Sequence, residues 1–123
     1  MNEMKRSDLL PEIFFDETLE SKSDEQFQNT VLRAICKFQN AHLIAISQKA
    51  CLEMNPLFLQ LTLPKKKTFL TALLQKNSDL KQFLIGLIVG FMEPDQLDYY
   101  LQNKASINKR ILRLIEKRLM DQL

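Results

Sequence analysis

The chain is predicted to be all-α, a compact bundle of five or six helices suited to forming a helical dimer, and three observations predict this. Only two glycines and four prolines interrupt the 123 residues, too few turn formers for an all-β sandwich or barrel. Long stretches are rich in Leu, Lys, Gln, Glu, Ile and Ala, which favour helix. Apolar residues recur at helical spacing through much of the chain. With 46% hydrophobic and 26% charged residues, a chain of this length can bury one core and stay soluble. The organisation expected is an acidic N-terminal arm, residues 1–22, followed by a single α-helical domain, residues 23–123.

The arm carries an apolar insert, Leu9, Leu10, Ile13, Phe14, Phe15 and Leu19, which suits a segment laid on its own domain or docked on another chain. Ser23 and Gln26 have the spacing of a capping box. Phe27, Val31, Ala34, Ile35, Phe38, Ala41, Ala45, Ile46 and Leu52 then follow helical spacing, in one helix to about Met54 or in two that meet near Asn40. Asn55-Pro56 ends the run. The alternation of Leu57, Leu59, Leu61 and Leu63 is a strand pattern, but no second strand is evident to pair with it, so a short helical turn is expected. Thr62 caps the next helix, with Pro64 in its first turn, to about Lys76. Lys65, Lys66 and Lys67 read as a solvated cluster.

Asn77, Ser78 and Asp79 form a turn and cap for a helix over 79–92 that is apolar on most faces. Such a helix is central in the core or buried at an interface. Its Gly86 and Gly90 suit close packing of another helix, or a dimer seam together with Phe83 and Leu87. Pro94 opens a short helix to about Gln102. Ser106 caps the last helix, about Ile107 to the C-terminus.

That last helix carries the most informative pattern. Ile107, Ile111, Leu114, Ile115 and Leu119 share one side. Lys109, Arg113 and Lys117 form an i, i+4 ladder on another, with Arg110 beside it, although like charges at that spacing repel by a few tenths of a kcal/mol, roughly. Arg118 falls on the apolar side and needs a carboxylate or carbonyl nearby. The net charge of +2 hides an asymmetry. Residues 1–26 hold eight acids and three bases, and residues 104–123 hold six bases and two acids. The acidic end could screen the basic one.

The chemistry-bearing inventory is thin. The single histidine, His42, reads as a hydrogen-bonded structural residue. Cys36 and Cys51, if on one helix, stand about 22 Å apart, beyond disulfide reach. Free thiols, and an N-terminus without a leader's apolar core, predict a cytoplasmic protein. The longest apolar run, 83–92, is about half a membrane span. Zinc-site, nucleophile-elbow and phosphate-loop patterns are missing, so no metal and no cofactor are expected. Glu93, Asp95 and Asp98 crowd a helix start, where the dipole favours acids.

The function expected is therefore a non-enzymatic interaction or regulatory protein, adaptor-like or chaperone-like, that binds a protein partner and forms a homodimer. The alternative is a DNA-binding regulator using helix 107–121, through Lys104, Lys109, Arg110, Arg113 and Lys117. It has helix-turn-helix order over 94–121, but no glycine in the turn, and Asn103 and Asn108 stand where apolar residues would help.

Overall fold

The computed structural model describes residues 20–122. The acidic arm up to residue 19, with its apolar cluster, lies outside the described residues. The described chain is helical throughout, as its composition and spacing predict. It runs through α1 (Glu20–Phe27), a π-helical turn (Gln28–Leu32), α2 (Arg33–Phe38) and α3 (Asn40–Met54). A 3-10 turn (Phe58–Gln60) then leads to α4 (Leu63–Lys76), α5 (Ser78–Val89), α6 (Pro94–Gln102) and α7 (Lys104–Asp121).

The local signals hold at most boundaries. Asn77 Oδ1 accepts from the Leu80 amide at 3.0 Å and caps α5. Glu93 and Gln96 form a reciprocal capping box at α6, with Pro94 in its first turn. Pro64 opens α4, although Thr62 makes no side-chain cap bond. The leucine-rich stretch forms a 3-10 turn, as a lone strand pattern without a partner requires. Two starts differ from expectation. Ser23 lies inside α1, buried, because helix begins at Glu20. Ser106 lies inside α7, whose cap position is Asn103.

Packing centres on α7, which touches the π turn and each helix from α2 to α6. Ile107, Ile111, Ile115 and Leu119 are buried there with Leu114. They meet Phe27, Leu32, Ile35, Leu43, Phe58, Leu70, Leu84 and Ile88 in one core. Each such side chain contributes about 1.5–3 kcal/mol when withdrawn from water.

The apolar stripe predicted for the second half of residues 27–54 is wrong in phase. Phe38, Ala41 and Ala45 are exposed, and Leu43, Ser47 and Cys51 are buried instead. The π turn and the break at Gln39 rotate the inward face, so a single 3.6-residue wheel drawn from Phe27 fails beyond Ile35. His42 is exposed on the same helix, not a core residue.

Ser47 is the one polar side chain of this face, 3% exposed, and its Oγ has no hydrogen-bond partner. It lines a cavity of about 20 Å³ with Ile44, Cys51, Phe58, Leu70 and Leu119. A desolvated hydroxyl without a partner opposes folding, and alanine is the better helix former. Ser47→Ala is therefore expected to raise stability by about 1 kcal/mol, read as a higher urea midpoint at unchanged slope.

Candidate functional site

The π turn and α2 run beside the C-terminal half of α7, and a groove of about 630 Å³ opens between them. Asn29, Arg33 and Lys37 follow i, i+4, i+8 spacing along one edge, and Lys117, Arg118, Asp121 and Gln122 come from α7 and its end. The edge residues are largely exposed. Between them lie Thr30, Ala34, Cys36 and Leu114, of which Cys36 and Leu114 are buried. Four cations and one carboxylate thus stand over an apolar floor.

The arginines are held in place by neutral oxygens. Arg33 Nε donates to Asn29 Oδ1 at 3.0 Å. Arg118 Nη1 donates to Asn40 Oδ1 at 3.2 Å, the carbonyl its place on the apolar side requires. Asn40 and Gln122 exchange amide hydrogen bonds at 2.9 and 3.0 Å, which ties the start of α3 to the end of α7. The positive field reaches the floor. Burial pushes the Cys36 thiol up to about 11, while Arg118 and then Arg33 pull the other way.

Lys117 is the ladder residue that the groove includes. Lys109 and Arg113 are exposed further up α7, and Lys104 is exposed at its first residue. Arg110 turns into the helix seam and donates to Gln28 Oε1 at 3.1 Å. Arg33 and Lys37 are site residues that the sequence expectation for the last helix does not include. Their spacing with Asn29 was the available signal.

The helix-turn-helix order does not become that motif's geometry. Asn103 alone separates α6 from α7, whereas the motif needs a turn of about three or four residues. Asn108 accepts from the Tyr100 hydroxyl at 2.6 Å. With Arg110 also engaged, one of the five cations expected to meet nucleic acid is committed to the bundle, together with its neighbour Asn108.

Two other features frame the groove. On the α1 and α6 side, the Asp24 carboxylate accepts both the Tyr99 and the Ser106 hydroxyls. Those bonds join α1 to α6 and α7, and they explain why Ser106 is no helix cap. Asp95 and Asp98 line an open cleft beside Asp24. Among the described residues no group of three His, Cys, Asp or Glu could hold a metal ion, and no helix is long and apolar enough to cross a membrane. On α5, Phe83, Gly86 and Gly90 are exposed and Leu87 is half-buried. A Cβ built on Gly86 meets nothing within 4 Å, so the glycine admits no neighbouring helix among the described residues. Phe38, also exposed, stacks on Phe91 at 4.7 Å near the end of this stripe.

No family model, no curated protein and no solved structure matches this chain.

Both thiols are free, and burial raises both from 9.0 to about 11. The folded state holds these protons more tightly than the unfolded one. Their contribution to stability is whole below about pH 9 and is lost as pH rises towards 11. Cys36→Ala is expected to flatten the fall of the urea midpoint between pH 9 and 11 relative to wild type, whatever its midpoint at pH 7.

Proposed function

We propose that this protein is a non-enzymatic helical adaptor or regulator that binds an acidic, partly apolar polypeptide segment in the groove between the π turn and α7. The observation that supports this reading is the lining itself: Arg33, Lys37, Lys117 and Arg118 against one carboxylate, Asp121, around an apolar floor. Cations at both edges attract and orient an acid-rich ligand. A floor of Ala34 and Leu114 gives its apolar side chains a dry contact, which a phosphate backbone could not use. The π turn supports the same reading, because such turns give a helix a local irregularity on which sites are often built.

The nucleic-acid alternative draws on the exposed ladder Lys109, Arg113 and Lys117. These side chains can meet phosphates whatever the motif. A fluorescence anisotropy titration separates the two readings. The probe is a labelled peptide of about 15 residues built from Glu and Leu, with a DNA duplex as competitor. The double variant Lys37→Glu, Lys117→Glu is expected to bind the peptide at least about tenfold more weakly than wild type at low salt, a difference of about 1.4 kcal/mol. Equal affinity in the two proteins rejects the groove. Displacement of the peptide by DNA, with the steeper salt dependence of phosphate contacts, transfers the assignment to nucleic acid.

A homodimer belongs to the same proposal, with exposed Phe83, Gly86 and Gly90 and half-buried Leu87 as its seam. Gly86 leaves room for a second helix backbone, and Phe83 is 56% exposed. A lysine in the seam would have to be desolvated. Phe83→Lys is therefore expected to shift a dimer to monomer in sedimentation equilibrium, and a wild-type monomer at high micromolar concentration removes this part of the proposal.

A further inference from the structure

We propose that residues 8–19 of this chain are themselves a ligand of the groove, so that the protein covers its own binding site until a partner displaces them. The inference rests on the groove reading above and deepens it by naming an occupant.

The two sides of the contact match in charge and in apolar character. The groove presents four cations and one carboxylate, whereas residues 8–19 carry Asp8, Glu12, Asp16 and Glu17 and no base. The floor is apolar, and the same twelve residues include Leu9, Leu10, Ile13, Phe14, Phe15 and Leu19. A plain polyanion would satisfy the cations and leave the floor uncovered. This segment offers both kinds of group, interleaved.

The covalent geometry permits the contact within one chain. The segment joins the domain at Glu20, the first residue of α1. Arg33 and Lys37 lie 13 and 17 residues further along nearly continuous helix, about 20 and 25 Å along its axis. In extended form Asp8 reaches about 40 Å from Glu20 and Glu12 about 27 Å, so the N-terminal half of the segment spans to Arg33 and Lys37. Tethering raises the effective concentration to the millimolar range. A segment of weak intrinsic affinity therefore occupies the site most of the time, yet yields to a partner that binds more tightly. Among the described residues Arg33 and Arg118 donate to amide oxygens.

The test uses the full chain and a labelled peptide of residues 8–19 as probe. Glu12→Gln, Asp16→Asn and Glu17→Gln are introduced together into the tethered segment only, and peptide affinity is compared with wild type. Release of the groove is expected to tighten peptide binding about tenfold or more, and adding Lys37→Glu and Lys117→Glu to the same chain is expected to abolish that binding. Equal binding to wild type and to the neutralised variant shows that the tethered segment does not compete; it overturns the inference and leaves the groove as a site for other acidic segments. Failure of the peptide to bind either protein also overturns it, while the Glu and Leu peptide then decides the groove reading independently. Binding that survives the two charge reversals places the segment elsewhere and rejects the inference.

Discussion

The rotation of α7 about its own axis governs the rest of this structure. Ile107, Ile111, Ile115 and Leu119 must all be withdrawn from water, and burying them fixes which way every other residue of that helix points. Turning α7 by one residue, about 100°, would expose several of these side chains at about 1.5–3 kcal/mol each. Local charge repulsion of a few tenths of a kcal/mol cannot compete with that. The ladder Lys109, Arg113 and Lys117 is therefore thrown outward by the core, and Arg110 and Arg118 are carried into the seams, where Gln28 and Asn40 receive them. The basic face of α7 is first a consequence of its apolar one.

The same hierarchy explains what the sequence made legible. Strong local chemistry was readable: Asn77 as a cap, Pro64 and Pro94 as helix starts, and the buried set on α7, whereas the capping box of Glu93 and Gln96 went unread. Each depends on residues within one or two turns of each other. The stripe on α3 was not readable, because its phase is set by the π turn over Gln28–Leu32 and the break at Gln39. Within QNTVL, Val31 and Leu32 are buried and the Thr30 hydroxyl donates to the Gln26 carbonyl at 2.7 Å, a contact that helical spacing alone does not report. Once the phase is lost there, Phe38, Ala41 and Ala45 are assigned inward and Leu43 is missed. His42 was misplaced for the same reason.

The groove needed tertiary structure for another reason. Each of its edges is legible separately, as Asn29, Arg33 and Lys37 on one segment and Lys117 and Arg118 on another. Their meeting is a fact about two helices 80 residues apart in sequence, and no periodicity reports it. Gly86 illustrates the opposite error. The G-x-x-x-G spacing suggests close approach of a helix, yet within the described residues the space beside Gly86 is open. Spacing describes what a face permits, not what occupies it.

The groove sets four cations against one carboxylate, Asp121, and helix ends supply further compensation. Lys37 lies in the last turn of α2, and Arg118 in the last turn of α7. Both elements end beside the groove, and each carries roughly half a negative charge at its carbonyl end. That partial charge favours a nearby cation by about 0.3–1 kcal/mol, a fixed contribution that no exchange of ligand removes. A structural ion pair would tie each cation to one acid and make its release costly. At Lys37 and Arg118 the compensation comes from backbone dipoles instead of a fixed acid. The two helix termini therefore offset part of the repulsion among the groove's cations.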